Sequence, residues 1–404
     1  MVAVIRYRYG MKKNSVVVFL LTATLMVMGL ARTPNAQSAM VPHVTTTPNV
    51  ASSVTHAPTP PKDANDEYRC TWIDPHFVTN QMTTKTEFIA DTSKSQANKK
   101  ELHHAIAYIA TPSVVAQVKA LDRTGTKGWT CFSSPLGATS MGGLSALPWL
   151  YGWSPGHGAD TMEAGYGISV PAGSLIVLQI HYNSLAGKKA VTSKLNVWSE
   201  NAATSSRAPL TMRQYVAAPA LPCVAPYNDV KKYPLCNHTA SLADLAKRFG
   251  PEARSFAQNI EWVCNRGVLP VNSSSPNATS ATCTWGFAEN TPVTIHKIWP
   301  HMHMLGKAFT IVLCRQDATC APANTQTLLV VPSYNFDNQF GYTLANPVTM
   351  TQGDYVKLTC TYSPALRKLN PQTKNLAPRY ITWGDGSSDE MCLGTLIVSS
   401  GAAS

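Results

Sequence analysis

The sequence has little charge for its length. Charged residues make up 14% of the 404 residues, whereas about a quarter is usual in soluble cytosolic proteins. The net charge of +11 overstates the basicity, because residues 1–39 contain five basic residues and no acid, and 11 − 5 leaves +6 for the rest of the chain. The remaining Lys and Arg are scattered and form no stripe interleaved with aromatic rings, which argues against nucleic acid as a partner.

Two kinds of cysteine motif are also missing. No CxxC pair occurs among the ten cysteines, which excludes the common zinc-finger and thioredoxin-type sites. No Cys–His motif like that of the blue site in multicopper oxidases is evident. Ten is an even number, however, and it fits an exported protein that contains disulfides.

The N-terminus has the features of an export signal. Residues 11–31, MKKNSVVVFLLTATLMVMGLA, combine a basic start with an apolar run of roughly fifteen residues, which is short for a bilayer span. We therefore predict a signal peptide over residues 1–39, with Met11 as a candidate start, and a secreted protein, either extracellular or periplasmic. Because the cleavage site near Ala36 and Ala39 is poor, an uncleaved N-terminal anchor stays an alternative; after cleavage we expect no membrane contact.

Two regions of different composition follow. Residues 40–66 are rich in Thr, Pro, Ser and Val, which predicts a disordered linker in which His43 and His56 are solvated. From about residue 67 onward, apolar and polar residues alternate in short runs that are broken by Gly, Pro, Asn and Ser, which predicts antiparallel strands. The clearest predicted strand is GSLIVLQIHYN at 173–183.

One segment has helical periodicity. We predict two short helices over residues 241–264, with Ser241 as the N-cap and a break at Gly250-Pro251. This segment lies within residues 223–283, which contain four of the ten cysteines and all three Asn-X-Ser/Thr sequons. The region is predicted to be a small helical insertion that is tied by disulfides, although four cysteines allow three connectivities.

The rest of the chain falls into two halves of similar plan. Short strands with turn signals predict an all-β fold of two antiparallel β-sandwich or jelly-roll domains, over residues 67–205 and 206–404. Each half begins with two histidines and reaches a further potential metal ligand several strands later. These six residues are His103, His104 and His181 in the first half, and His301, His303 and Met391 in the second.

The local patterns leave several interpretations open. In WPHMHMLGK (299–307), strand alternation places His301 and His303 on one face. His103 and His104 are adjacent and would face opposite ways on a flat strand, unless the backbone twists or one ring uses its other nitrogen. Taken singly, a buried histidine or methionine is more often a structural residue than a ligand.

Copper is the metal that best suits both sets. Zinc rarely accepts a thioether, and magnesium and calcium prefer oxygen ligands. Imidazole together with soft sulfur favours copper, especially Cu(I). Three imidazoles alone fit zinc or copper equally well, but copper in both sets is the simpler account because it provides a redox pair.

Four motifs, HH, LQIHY, HMHMLGK and SSDEMC, occur in an order and approximate spacing that resembles a known family. This family is the copper type II, ascorbate-dependent monooxygenases, which include the peptidylglycine α-hydroxylating and dopamine β-monooxygenases. The resemblance covers residues 67–404 without the insertion. It implies two jelly-roll domains that each carry one copper and face each other across a solvent-filled cleft. It also implies hydroxylation of an sp³ carbon of a small-molecule substrate with O₂, and with ascorbate as the reductant.

The resemblance also implies a role for each ligand. An electron-transfer copper would be held by three imidazoles: His103, His104 and His181. The copper that binds O₂ and substrate would be held by two imidazoles and a thioether: His301, His303 and Met391. Gln179, which shares a strand face with His181, would help to order the electron-transfer side.

Disulfide pairs follow partly from the same resemblance. It implies a Cys360–Cys392 bond, which would brace the strand beside Met391, and a Cys70–Cys131 bond in the first domain. Cys314 and Cys320 are close enough in sequence to close a local loop.

The sequence departs from the family at the substrate side. Trp299 stands where the peptide-amidating branch has an arginine that binds the substrate carboxylate, and Leu393 and Thr395 replace an asparagine and a tyrosine. A glycine-extended peptide is therefore a poor candidate substrate, and Trp299 would provide an aromatic wall or simply pack in the core. Ala105 replaces a methionine that usually follows the first histidine pair. Polar neighbours of Met391, namely Asp389 and Glu390, are expected to form a solvated turn.

Two other function classes share features with this sequence. A copper-binding or carbohydrate-binding jelly-roll protein without turnover is the main alternative, although the presence of all six ligands argues against a decayed site. A cupin-type dioxygenase also uses HxH in a jelly roll, but it needs a glutamate a few residues later. HMHMLGKAFT contains none, so we set the cupin hypothesis aside.

Overall fold

The computed structural model describes residues 47–60, 64–91, 101–122, 128–132, 134–136, 147–266 and 279–401. All of them lie in one compact unit, Thr45–Ser404. The predicted signal peptide, His43 and the sequons at Asn272 and Asn277 lie outside the described residues. Within the described ranges, no helix is both long and apolar enough to cross a membrane.

The fold is all-β with a small helical region, as the sequence predicted. The first half of the described chain forms ten strands and one short helix: β1 (Val50–His56), β2 (Asp66–Ile73), β3 (Gln81–Ile89), β4 (Leu102–Ala110), α1 (Val115–Leu121), β5 (Trp129–Thr130), β6 (Trp149–Trp153), β7 (Asp160–Thr161), β8 (Tyr166–Val170), β9 (Leu175–Asn183) and β10 (Val191–Asn201).

The second half of the described chain forms another ten strands and three helices. These are β11 (Ala208–Val216), β12 (Ala220–Leu221), α2 (His238–Phe249), α3 (Pro251–Cys264), β13 (Ser280–Gly286), β14 (Val293–Met302), β15 (Gly306–Cys314), β16 (Thr325–Val331), β17 (Tyr342–Met350), β18 (Tyr355–Tyr362), α4 (Leu366–Leu369), β19 (Ile381–Thr382) and β20 (Cys392–Ser400).

A long sheet runs through both halves. Its order is β1-β10-β3-β8-β11-β20-β14-β17, with β7 beside β3, and a short parallel pairing of β8 with β11 joins its two ends. One end packs on a five-stranded sheet, β5-β2-β9-β4-β6, and the other on a four-stranded sheet, β13-β18-β15-β16, so that two cores form. The predicted boundary after residue 205 falls between β10 and β11, and the division into two domains stays a prediction.

A third core explains why the central strands of the five-stranded sheet are buried on both faces. Every residue of β4 and β9 is buried. Leu178 and Ile180 face the first core, whereas Leu175 and Val177 belong to a cluster that also contains residues of α2, α3 and β20. Strands that are covered on both faces lack the polar alternation of a half-exposed strand. The two halves of the chain are therefore packed together through the outer face of this sheet.

The helical insertion differs from its prediction in one detail. Two helices form and the break at Gly250-Pro251 is confirmed. The N-cap of α2, however, is Asn237 and not Ser241, because the Asn237 side chain accepts a 3.0 Å hydrogen bond from the N–H of Ala240. Ser241 lies inside the helix and is buried.

All ten cysteines form disulfides. The predicted pairs Cys70–Cys131, Cys314–Cys320 and Cys360–Cys392 are confirmed. Among the three connectivities that the insertion allowed, the structure has Cys223–Cys236 and Cys264–Cys283. The insertion is therefore closed at both ends by local disulfides.

The prediction of a disordered linker over residues 40–66 is wrong for Val50–His56. Residues Val50–His56 form an edge strand that pairs with β10 over its full length. Val50 is buried and Val54 packs against the first core, so the valines that we took for linker composition are the apolar face of a strand. His56 lies 3.0 Å from the carboxylate of Glu67 and is only partly exposed.

Candidate metal centre

A bulge in β4 places two adjacent histidines on the same face. Leu102 of β4 pairs with Tyr182 of β9, and His104 pairs with His181, so that His103 is an extra residue in the ladder. A bulge of this kind re-aims side chains locally. The ring centroids of His103 and His104 accordingly lie 4.4 and 4.9 Å from that of His181.

Pairing of β14 with β20 brings the second set together. His301 pairs with Leu393 and Met302 pairs with Cys392. Continuation of this ladder by one step puts His303 opposite Met391. The ring centroids of His301 and His303 are 5.3 Å apart, as expected for residues that share a strand face.

The five imidazoles form one buried group, which we name the five-histidine cluster: His103, His104, His181, His301 and His303. Two triads have ligand nitrogens that all lie within 4.8 Å of one another, and His103 belongs to both. One triad is His103, His104 and His181, and the other is His103, His301 and His303. The ring centroids of His103 and His303 are 4.4 Å apart, and no member is more than 7% exposed. The expectation of a solvent-filled cleft between the two sets is therefore wrong for this structure, because the third core packs the two halves against each other.

Hydrogen bonds fix the tautomers of two members of the first set, His103 and His181. Asp66 Oδ1 accepts from the Ser387 hydroxyl at 2.6 Å and lies 2.9 Å from His181 Nε2. Since the Ser387 proton is donated to Asp66, the Ser387 oxygen accepts from His103 Nδ1–H at 2.7 Å. Although burial raises the pKa of Asp66, the hydrogen bonds from His181 and Ser387 hold it below its ordinary value, and an ionised Asp66 requires the His181 proton on Nε2.

The second set is oriented in the same way. His301 Nδ1 lies 2.8 Å from Gln339 Oε1. The Gln339 amide nitrogen donates to the Phe336 carbonyl at 2.8 Å, which identifies its oxygen as the acceptor and His301 Nδ1–H as the donor. His303 Nδ1 donates to the backbone carbonyl of Asp389 at 3.1 Å.

Each of the five histidines has a buried ring nitrogen without a hydrogen-bond partner among the described residues. These atoms are His103 Nε2, His104 Nδ1, His181 Nδ1, His301 Nε2 and His303 Nε2. Burial lowers the pKa of His301 to about 4 and lowers the pKa of His103, His104 and His303 well below the ordinary value. Neutral imidazoles with one nitrogen anchored to the protein and a free lone pair on the other are the form in which histidine binds metals.

A small cavity lies beside the cluster. It measures about 30 Å³, which is room for one or two water-sized molecules. Its lining consists of Tyr68, His104, Ile106, Trp149, Gln179, Trp299, His301, Asp385, Met391 and Leu393. Met391, which is 5% exposed, thus shares this space with His104 and His301. Trp299 is both a core residue and part of the wall.

Gln179 lies at the cavity and is held from both sides. Tyr108 donates a 3.2 Å hydrogen bond to its side-chain oxygen, and its amide nitrogen donates to the Cys131 carbonyl at 3.1 Å. Cys131 is in turn fixed by its disulfide to Cys70. Gln179 therefore orders the cavity wall next to His181, its neighbour on the same strand face.

The expectation that Asp389 and Glu390 form a solvated turn is wrong, since they are 4% and 0% exposed. The Glu390 carboxylate accepts from the N–H of His303 at 3.0 Å and of Leu305 at 2.7 Å, and burial raises the pKa of Glu390 to about 8. Asp389 accepts two hydrogen bonds from the guanidinium of Arg248, at 2.8 and 2.7 Å. Both residues thus hold the segment that leads into Met391.

Sequence reasoning missed several residues that position the ligands. Ser387, Asp389 and Glu390 stand in the SSDEMC motif, which offered a signal that we used only for Met391. Asp66 and Gln339 lie in no recognisable pattern, and no property of their local sequence distinguishes them from surface residues.

Comparison with protein families gives a match in the C-terminal part of the chain. Residues 261–397 match the family model described as copper type II ascorbate-dependent monooxygenase, C-terminal domain. This range contains His301, His303 and Met391, whereas the other histidines of the cluster lie outside it. No curated protein matches the chain.

Similar solved structures are very distant. A fucolectin from striped bass (Morone saxatilis) has 8% identity and a TM-score of 0.17, with 87% of this chain and 86% of that chain covered. The VP2 subviral particle of infectious bursal disease virus has 8% identity and a TM-score of 0.20, with 87% and 72% covered. The coconut allergen cocosin has 10% identity and a TM-score of 0.15, with 88% and 84% covered. Scores this low carry no argument about fold or function. The family match is informative, because residues 261–397 are similar to the C-terminal domain of the copper type II, ascorbate-dependent monooxygenases, the family that the motifs resemble.

Proposed function

We propose that the protein is an exported copper monooxygenase, which hydroxylates an sp³ C–H group of a small molecule with O₂ and uses ascorbate as the reductant. The observation that carries this proposal is the set of five buried, unpartnered imidazole nitrogens next to a cavity that Met391 also lines. The family match over residues 261–397 supports the type of chemistry. Five disulfides fit an extracellular or periplasmic location.

We divide the donors between two copper sites as the family resemblance implies, although His103 also lies close to His301 and His303. In this proposal one site uses His103, His104 and His181, and the other uses His301, His303 and Met391. Bound copper would supply reversible one-electron transfer and the activation of O₂. A thioether ligand favours Cu(I), which assigns the oxygen-binding role to the second site. Burial lowers the pKa of His103, His104, His301 and His303. The orientations of four rings, those of His103, His181, His301 and His303, are fixed through Ser387, Asp66, Gln339 and the Asp389 carbonyl.

The cavity wall indicates what kind of group would approach the second site. Trp149, Trp299, Ile106 and Leu393 provide apolar and aromatic surface, and the described residues that line the cavity include no Lys or Arg. A substrate carboxylate would find no partner there. We propose that the carbon to be hydroxylated belongs to an apolar or aromatic part of the substrate.

Access to the site requires a change of conformation. A volume of about 30 Å³ is too small for an organic substrate, since ligand pockets usually measure a few hundred cubic ångströms. A larger cavity of about 390 Å³ is lined by Phe336, whose ring also contacts His103 edge-on at 4.9 Å. We propose that movement of Phe336 joins this cavity to the five-histidine cluster.

The same enclosure favours a second candidate function, a copper-binding protein without turnover. A fully buried site protects Cu(I) from solvent but does not require substrate access. Such a protein would bind copper through the same side chains and would show no ascorbate-dependent consumption of O₂. The carbohydrate-binding variant of this alternative has no support in the residues around the cluster.

Metal analysis together with O₂ uptake tests the proposal. The purified mature protein should contain two coppers per chain, and Met391→Ile should lose one of them, whereas Met350→Ile, in the core of the second half, should retain both. With ascorbate and a panel of apolar substrates, O₂ uptake and hydroxylated product should appear, and His301→Ala should abolish both. One zinc, or no metal, would refute the copper assignment. Two coppers without O₂ uptake would favour the second candidate.

A further inference from the structure

A second cavity lies between the start of the insertion and residues 364–381. It measures about 260 Å³ and is lined mostly by apolar side chains, among them Leu221, Leu305 and Ile381. At its rim the Lys368 ammonium lies 5.1 Å from the centre of the Tyr227 ring. None of the five clustered histidines lines it, so it is a separate feature of the fold.

Two arginines line this apolar space. Arg367 is only 9% exposed, and although Nη2 donates to the Ala377 carbonyl at 2.7 Å, its buried Nε has no hydrogen-bond partner among the described residues. Arg379 Nε is unpartnered in the same way. No described carboxylate forms an ion pair with Arg367, and burial together with the charges of Arg379 and Arg248 lowers its pKa to about 10.

The charges behind the cavity do not balance. Three guanidinium groups lie near one another here: those of Arg248, Arg367 and Arg379. Besides burial, the charges of the other two lower the pKa of Arg367. Two carboxylates are paired with them: Asp244 bonds to Arg248 at 2.8 Å and lies 2.9 Å from Arg379, and Asp389 bonds to Arg248. Three positive charges against two negative ones leave one positive charge in excess (3 − 2 = 1). Because an uncompensated charge in a buried place is unfavourable, a single negative charge would complete the group.

We propose that this cavity binds a small organic monocarboxylate, whose apolar body contacts the apolar walls and whose carboxylate meets Arg367 and Arg379. Guanidinium groups are the side chains best suited to bind a carboxylate, and such charge-assisted hydrogen bonds are strong. Inorganic anions would satisfy the charge but would leave the apolar walls unused. The proposal does not depend on the proposed function, because it uses none of the copper ligands.

Calorimetric titration of the full-length, metal-loaded protein with benzoate tests the proposal. Benzoate should bind with a stoichiometry of one. Benzamide has nearly the same shape without the charge and should bind at least about tenfold more weakly than benzoate. Benzylamine should not bind. The reason for both is that the charge-assisted hydrogen bonds supply much of the affinity. Since a carboxylate can also ligate copper, His301→Ala is titrated as well and should bind benzoate with unchanged affinity.

Variants of the cavity complete the test. Arg367→Met should weaken benzoate binding about tenfold or more, and Ala365→Trp, which fills the mouth of the cavity while keeping every charge, should abolish it. Arg254→Met on α3 is the matched control and should bind as the parent protein does, with near-ultraviolet circular dichroism confirming the fold of each variant. Equal affinity for benzoate and benzamide, no binding at millimolar benzoate, unaffected binding in Ala365→Trp, or loss of binding in His301→Ala would each overturn the proposal.

Discussion

Replacement of Arg248 by methionine would remove the cation that joins the insertion to the Met391 segment. The Arg248 side chain is 6% exposed and that of Asp389 is 4% exposed. Two hydrogen bonds of 2.8 and 2.7 Å connect them. The substitution keeps the approximate length of the side chain but leaves the Asp389 carboxylate buried without its main partner.

The expected cost follows from this geometry. Removing one member of a buried ion pair usually costs about 3–5 kcal/mol, because the other charge stays buried and uncompensated. Arg379 lies 3.5 Å from the same carboxylate and retains part of the compensation. We therefore expect Arg248→Met to lower the free energy of unfolding by about 3 kcal/mol. Arg248→Lys should cost less, since an ammonium keeps the charge but not the paired geometry.

Urea unfolding with the disulfides intact, followed by tryptophan fluorescence, measures this loss. Arg254→Met on α3, whose side chain has no ion pair in the part of the chain that the structure describes, is the matched control and should change stability by less than about 0.5 kcal/mol. Arg248→Met combined with Asp389→Asn should be more stable than Arg248→Met alone, because the buried carboxylate that lost its main partner is then replaced by a neutral amide. A loss below about 1 kcal/mol in a folded Arg248→Met protein would refute the reasoning.

Three further predictions concern the residues around the cluster. Asp66→Ala removes the acceptor of His181 Nε2–H and should weaken copper binding by the first histidine set about 10- to 100-fold, measured by competition with a Cu(I) chelator. Gln339→Leu removes the acceptor of His301 and should weaken the second set by a similar factor, and unchanged affinity in both variants would contradict the orienting role of these bonds. Trp299→Ala should lower the free energy of unfolding by about 3–5 kcal/mol, measured by urea titration. A loss below about 0.5 kcal/mol, as for a surface substitution, would show that Trp299 is not packed as described.

The sequence was sufficient where a structural feature depends on nearby residues. A short, mainly apolar run that begins after a Gly turn predicts a strand, as at 173–183, and a Gly-Pro pair ends a helix regardless of the rest of the chain. Three disulfides are also predicted correctly, of which one joins cysteines only six positions apart and two follow from the family resemblance. The motif HMHMLGK lies on one strand, so its two histidines share a face by periodicity alone.

The sequence was insufficient where a feature depends on a partner elsewhere in the chain. The bulge at His103 is a property of the pairing with β9, and no single strand reveals it. Polar residues such as Asp389 look solvated until Arg248, 141 residues away, is placed beside them. Likewise, the Thr- and Ser-rich stretch before residue 57 becomes a strand only because β10 offers it an edge.

One segment, residues 385–391, forms hydrogen bonds that orient histidines of both sets. Its Ser387 side chain accepts from His103 and donates to Asp66, the residue that fixes His181. The same segment accepts a hydrogen bond from His303 Nδ1–H through the Asp389 carbonyl, and another from the N–H of Leu305 through the Glu390 carboxylate. Because Arg248 of the insertion anchors this segment, the insertion is bonded to a structure that orients ligands of both sets. The orientation of the His103 and His303 lone pairs therefore depends on one short stretch of backbone. A change in the position of that stretch would alter ligands of both sets at once, although their motifs lie far apart in the sequence.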